Sequence, residues 1–250
     1  METDNKELII KKFREIKDKG WIESHRKNNT GIGKTFEDLI GVEENNLNEP
    51  DLAGFEIKSH RDDVNNYITL FTKAPNFPKS ANTFLRDNFG TPYDDNPDIK
   101  KLHTSIFADK KNTYGDKYSF KLINDSNSKQ IRIGVYDQKT QEKIDSSVGY
   151  NYDCIEKALK NKLNNLFYVS AQRRVENSKE EFYYDKAEIY TKPSLENFLN
   201  LLDNGDIMYD IRIGTYKDGA KKGKTHDHGS GFRILEKNLE KLYSNKEVAQ

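Results

Sequence analysis

Three polar residues in one short stretch carry the clearest chemical suggestion in this chain. The stretch runs Pro50-Asp-Leu-Ala-Gly-Phe-Glu-Ile-Lys-Ser59. Alternate side chains of a strand share a face, so Glu56 and Lys58 point one way while Phe55 and Ile57 point into a core. Asp51 stands at the strand entrance, and Gly54 permits a bend between them. Two carboxylates so placed can hold Mg²⁺, which takes oxygen ligands and keeps several waters. A metal there polarises a phosphate and acidifies a bound water. Lys58 can then orient or help deprotonate the attacking water and offset charge in the transition state. The plain alternative is an edge strand with alternating solvated charges. Upstream, Gly31-Ile-Gly-Lys-Thr-Phe-Glu37 offers Glu37 as a third carboxylate from a helix. The same run imitates part of a phosphate loop, but its first glycine is too close to Lys34 for that motif.

A second constellation lies near the C-terminal end. Over Ile207–Tyr216 the pattern alternates, with Ile207, Tyr209, Ile211 and Ile213 on one face and Asp210 and Arg212 on the other. Arg can pair bidentately with guanine O6 and N7, and a carboxylate can accept from cytosine N4. The loop that follows is rich in glycine and lysine, with Lys221, Lys222 and Lys224 suited to phosphates, which position but do not specify. His226, Asp227, His228 and Arg233 are candidates for base contacts. His226 and His228 also permit a metal pair, though no third ligand stands near them in sequence, and a solvated flexible loop is a further reading. His25, His60 and His103 are assigned ordinary surface or core roles.

The elements that must position these groups can be read from periodicity. Helices are expected over residues 3–19, from about Gly33 to Glu44, over Ser80–Asn88, Asp153–Leu163 and Ser194–Leu202, and from after Ile234 to about Tyr243. Strands are expected at Leu52–Ser59, Tyr67–Thr72, Ile131–Tyr136, Lys143–Tyr150, Asn165–Ser170, Phe182–Tyr190, Ile207–Tyr216 and Gly231–Ile234. Asn45–Pro50 is expected to be a loop. Helices and strands intermix, which predicts an α/β (α+β) fold with a mixed β-sheet flanked by helices. With 250 residues and no linker-like shift in composition, we expect one domain in two lobes. The first spans approximately 1–165 and carries the catalytic residues; the second spans approximately 166–250 and carries the recognition residues.

Composition excludes several classes. Basic and acidic residues balance at 41 each, so any nucleic-acid affinity must come from charge segregated into a cleft. The single cysteine, Cys154, excludes a disulfide framework and a multi-cysteine metal site and reads as a buried thiol at a helix start. The polar, acidic N-terminus is no signal peptide and no apolar run approaches bilayer length, so a cytoplasmic protein without membrane contact is expected.

Several blocks together resemble the MvaI/BcnI restriction endonuclease family, on the MvaI-like side. They are Thr30-Gly-Ile-Gly-Lys-Thr-Phe-Glu-Asp-Leu39, Pro50-Asp with Glu56-Ile-Lys58, Leu70-Phe-Thr-Lys73, Ala81-Asn-Thr83 with Leu85-Arg86, Asn204-Gly-Asp-Ile207, Asp210-Ile-Arg-Ile-Gly214, and Lys221-Lys-Gly-Lys-Thr-His-Asp-His-Gly229 with Phe232-Arg-Ile234. The Thr-His-Asp-His-Gly block and its spacing from Asp210-Ile-Arg are the most specific, while residues 92–200 match less well. The resemblance implies a restriction-endonuclease-like PD-(D/E)XK core related to the mismatch-repair nickase MutH, in two lobes around a DNA cleft. It implies Mg²⁺-dependent type II cleavage of double-stranded DNA by a monomer, at CC(A/T)GG for MvaI-like members or CC(C/G)GG for BcnI-like ones. A cognate DNA methyltransferase is expected in the same system, not as a bound partner. Asp51, Glu56 and Lys58 match the catalytic positions, and Glu37 resembles the helix glutamate of the MutH-like relatives. The expected metal set is Asp51, Glu56 and the backbone carbonyl of Ile57, with phosphate contacts at Lys73, Lys221, Lys222 and Lys224. Asp210, Arg212, His226, Asp227, His228 and Arg233 match the recognition region. A MutH-like strand-nicking enzyme and a DNA-binding protein without cleavage remain as alternatives.

Overall fold

The computed structural model describes residues 2–28, 30–42, 51–52, 54–61 and 66–249. The loop expected over Asn45–Pro50 lies outside them. In chain order the elements are α1 (Glu2–Lys17), β1 (Ile22–Glu23), α2 (Gly31–Ile40), β2 (Glu56–Arg61), β3 (Tyr67–Thr72), α3 (Ala81–Phe89), β4 (Thr91–Tyr93) and β5 (Asn96–Ile106). There follow β6 (Tyr118–Asp125), β7 (Gln130–Asp137), β8 (Lys143–Asn151), α4 (Tyr152–Leu163), β9 (Asn165–Glu176), β10 (Lys179–Pro193) and α5 (Leu195–Asp203). The last are β11 (Ile207–Thr215), β12 (Thr225–Asp227), β13 (Gly231–Leu235) and β14 (Tyr243–Ala249), with short 3₁₀ turns at Gly219–Lys221 and Glu236–Leu242.

Contacts divide the chain into two compact units. The first comprises residues 1–66, 158–194 and 240–250; the second comprises 67–157 and 195–239. Both are discontinuous, whereas the lobes expected from sequence were contiguous halves meeting near residue 165. That difference arises because β9 and β10 return to pair with β2 and β1, β11 and β13 with β5 and β3, and β14 with β10.

The first unit is a mixed sheet in the order β1-β10-β9-β2, with β14 also on β10. β2 runs parallel to β9, placing Glu56 opposite Leu166 and Lys58 opposite Tyr168. Its core gathers Ile9, Phe13 and Ile16 of α1, Phe36 and Ile40 of α2, and Phe55, Ile57, Phe167 and Tyr184 of the sheet region. Burying large aromatic and branched side chains is the dominant stabilisation available to a chain this polar. α2 starts at Gly31 and ends at Ile40, earlier at both ends than expected. Gly41 adopts φ 85° there and its N–H donates to the Glu37 and Asp38 carbonyls, a left-handed stop that glycine tolerates best.

The second unit contains an antiparallel sheet in the order β3-β13-β11-β5-β4, with β12 also on β11, and a three-stranded sheet β6-β7-β8. Tyr150, Phe198, Tyr209 and Phe232 are fully buried in it and meet ring to ring at centroid distances of 5.0–5.5 Å. The described residues thus form one mixed sheet and two antiparallel ones. Instead of a final helix it has a 3₁₀ turn followed by β14. Among the described residues no helix is long and apolar enough to cross a membrane.

Candidate functional site

In the first unit, β2 begins four residues later than sequence alternation suggested. Leu52 and Phe55 exchange backbone hydrogen bonds of 3.1 and 2.8 Å across Gly54, which adopts φ 81°. This tight turn folds Asp51 back along the strand, where its Oδ2 accepts the Ile57 N–H at 2.8 Å. A strand residue's N–H and C=O point to the same edge, so the Ile57 carbonyl faces the Asp51 side. Glu56 and Lys58 project together as expected, and Lys58 Nζ donates to Glu56 Oε1 at 2.9 Å. Phe55 and Ile57 are buried on the other side.

The electrostatics of this group are unfinished. Glu56 Oε2 is buried and has no hydrogen-bond partner; the Lys162 ammonium, in the last turn of α4, stands 3.9 Å away. Burial, and then the negative charge of Glu56, push the Asp51 carboxyl above its ordinary range, against the pull of the Ile57 N–H, Lys58 and Lys162. Tyr243 is held well above its usual value by burial and by Glu56, and its hydroxyl is buried without a hydrogen bond. A buried carboxylate oxygen beside a second, repelled carboxylate is a place a hard cation fits, since it would satisfy both.

Glu37 is not part of that group. It lies on α2 close enough for its charge to bear on the Tyr184 hydroxyl, and among the described residues no three acidic, His or Cys side chains converge on a metal-sized site.

In the second unit, β11 is buried on both faces except at Arg212. Met208, Asp210 and Arg212 share one face. Arg233 of β13 stands opposite Met208 and His226 of β12 opposite Gly214, so both project from that face too. Asp210 is only 12% exposed at its side chain. Its Oδ2 accepts from Arg212 Nε at 2.7 Å and lies 3.0 Å from Arg233 Nε, while its Oδ1 accepts from Ser105 Oγ at 3.0 Å. The His226 ring stacks on Tyr216 at 4.2 Å and lies 4.0 Å from the His228 ring. Gly214 makes room for this, since a Cβ there would come within 2.7 Å of His228 Nε2.

A model of the MvaI/BcnI restriction endonuclease family matches residues 10–243. The chain belongs to this family. Restriction endonuclease MvaI in complex with its cognate DNA substrate is 38% identical, with 98% of each chain covered and a TM-score of 0.86. MvaI in the absence of DNA is likewise 38% identical, over 98% of this chain and 97% of that one, with a TM-score of 0.67. No curated protein sequence matches. The chain is therefore a restriction endonuclease with a restriction-endonuclease-like fold.

Within this MvaI/BcnI family member, two residues expected to contact bases are occupied otherwise. Asp210 accepts from Arg212 and Ser105 and pairs with Arg233, so its carboxylate draws these side chains together within the protein. Asp227 Oδ1 accepts from the backbone N–H of Gly229 at 3.0 Å and Ser230 at 2.7 Å, and its Oδ2 accepts from Asn82 Nδ2 at 2.8 Å. It closes the β12–β13 turn and ties it to α3. Ser230 Oγ in turn accepts the Arg212 N–H at 2.8 Å. Arg212, His226, His228 and Arg233 remain on the open face. Lys73 is exposed, with its carbonyl fixed by the buried Tyr150 and Tyr209 hydroxyls. Lys221, Lys222 and Lys224 are exposed on the β11–β12 hairpin, where Arg86 braces Thr215 Oγ1 at 3.1 Å and Gly223 O at 3.4 Å. Nothing local in the sequence marks Lys162, an ordinary helix-surface lysine until the fold brings it to Glu56. The polar strand β5 carried a faint signal in Leu102, His103, Thr104, Ser105 and Ile106, whose alternation was not read.

Proposed function

We propose that this endonuclease hydrolyses duplex DNA at CC(A/T)GG in a Mg²⁺-dependent reaction centred on Asp51, Glu56 and Lys58. The observation that carries the reading is the buried Glu56 Oε2, without a hydrogen bond and next to a carboxylate whose proton affinity is raised. Asp51, Glu56 and the Ile57 carbonyl would hold the Mg²⁺, which supplies Lewis acidity toward the phosphate and acidifies water. Lys58 would orient the attacking water and offset charge gathering on the phosphoryl oxygens. As water oxygen bonds to phosphorus, the bond from phosphorus to the departing sugar oxygen breaks. The attacking water's proton passes to solvent, and the departing sugar oxygen takes one from solvent.

Arg212 and Arg233 read guanines, with His226 and His228 beside them, and Lys73, Lys221, Lys222 and Lys224 take phosphates. The MvaI complex with cognate DNA supports double-stranded DNA as the partner. We further read the protein as a cytoplasmic monomer that nicks one strand of a nearly palindromic site and reorients to nick the other. A methyltransferase of the same specificity would protect the host.

The test is purified protein with Mg²⁺ on phage DNA, with the ends sequenced. Discrete ends at CC(A/T)GG support the whole reading; ends at CC(C/G)GG change only the central pair. Specific binding without cleavage would point to a nickase lacking an activator or to a binding protein.

A further inference from the structure

Arg212 shares its face with a strand that sequence patterning passed over. β5 runs antiparallel to β11, with His103 opposite Arg212 and Ser105 opposite Asp210. Leu102 and Ile106 are fully buried, so alternation turns His103 and Ser105 to the open face. There they join Asp210, Arg212 and His228 around a hollow of about 420 Å³. Asn112 fixes the strand beneath, its Nδ2 donating to Thr104 Oγ1 at 2.7 Å and to Ser105 O at 2.9 Å. The His103 ring meets His228 edge to face at 5.9 Å.

We propose that His103 is a specificity-determining residue that accepts a hydrogen bond from the N4 amine of a cytosine in a base pair next to the one engaged by Arg212. This rests on the reading of the β11 face as the one that contacts bases. The argument is a balance of donors and acceptors. A G·C-rich site presents guanine O6 and N7 as acceptors and cytosine N4 as a donor in the major groove. Arg212 and Arg233 can only donate. The acidic groups on this face already spend acceptor positions inside the protein, Asp210 on Ser105 and Arg212, and Asp227 on its own turn and Asn82, and His103 adds an acceptor on the β5 side of the hollow. A neutral imidazole carries one acceptor nitrogen. Partial burial, followed by the positive charges of His228, Lys101 and Arg212 and opposed by Asp210, lowers the His103 pKa and keeps the ring neutral near pH 7.

The experiment is cleavage of duplexes randomised across the site, with the ends sequenced, for the wild type, His103→Ala and His103→Gln. His103→Ala should accept other bases about tenfold more readily at one C·G position and stay strict elsewhere. His103→Gln, whose amide oxygen is an acceptor, should restore that position. If His103→Ala cuts too slowly, selection of bound duplexes from the same library reads the same relaxation. Unchanged preferences at every position, an equal loss across all sequences, or relaxation at a position without cytosine would overturn the assignment. A wild type with no sequence preference would instead refute the reading of the face before any variant is made.

Discussion

At the proposed cleavage centre Glu56 keeps a buried carboxylate oxygen without a hydrogen bond, whereas on the proposed reading face Asp210 has both oxygens engaged. Both carboxylates are nearly out of water, and both sit beside basic groups. The difference lies in what completes them. Asp210 is neutralised from within by Arg212, which donates to it, and by Arg233, whose Nε stands 3.0 Å away, before any DNA arrives. Such preorganisation lowers the ordering cost of binding. Asp51 and Glu56 instead repel each other, with the Ile57 N–H on Asp51, Lys58 on Glu56 Oε1 and Lys162 3.9 Å from Glu56 Oε2. The carboxylate of the proposed recognition surface is balanced by its own arginines, whereas the carboxylate pair of the proposed cleavage centre keeps a repulsion that a bound cation would relieve.

Removing the cleavage groups should have the largest effect. Lys58→Ala and Asp51→Ala are expected to slow cleavage at least about a hundredfold while leaving specific binding largely intact, as measured by single-turnover cleavage and gel-shift titration. Full activity in either would place the chemistry elsewhere. Next comes Asp210→Ala, which strips two arginines of a buried partner. It should cost about 2–3 kcal/mol in chemical denaturation and weaken discrimination at both arginine-read positions together. Loss of stability with discrimination intact would show that the arginines orient themselves. Arg212→Ala or Arg233→Ala singly should cost about 1–3 kcal/mol of discrimination at one G·C pair. If only overall affinity and its salt dependence change, those side chains contact phosphates.

The smallest effect has the opposite sign and tests the comparison most sharply. Asp51→Asn keeps an acceptor for the Ile57 N–H and removes the charge that Glu56 repels. The metal-free protein should become more stable, with a rise in melting temperature of about 2–4 °C if the clash is worth about 1 kcal/mol. The folded protein holds the Asp51 proton more tightly than the unfolded chain does. Stability of the metal-free wild type at this position is therefore greatest below the unfolded carboxylate pKa and is lost as the pH rises through the higher folded one. That component should vanish in Asp51→Asn and be masked by added Mg²⁺. A lower melting temperature for Asp51→Asn would mean that the carboxylate's hydrogen bond outweighs the repulsion.

What the sequence made legible was local. Strand alternation placed Glu56 and Lys58 on one side, and β3 and β11 fell close to their expected bounds because their apolar periodicity is strong. The turn at Gly54 was visible only as a permitted bend, so the start of β2 was set too early. β5, beginning Asn-Pro-Asp-Ile-Lys-Lys, looks like exposed loop because half of its side chains face outward. β14 exists through pairing with β10, a partner more than fifty residues away in the chain, and no short-range pattern encodes that. The same limit hid the engagement of Asp210 and Asp227. Residue type says that a carboxylate can accept; only the fold says from whom.

The interleaving of the two units bears on how such an enzyme can acquire a new target sequence. The cleavage residues belong to a unit assembled from residues 1–66, 158–194 and 240–250. The stretch from β11 to β13 is framed by those segments and rests on β3 and β5, more than a hundred residues earlier. No single splice point exchanges one reading surface for another, because any crossover would sever a sheet on one side or the other. Exchange of the β11–β13 stretch alone would therefore set it against β3 and β5 of another parent, whereas substitution of single side chains leaves the scaffold as it is.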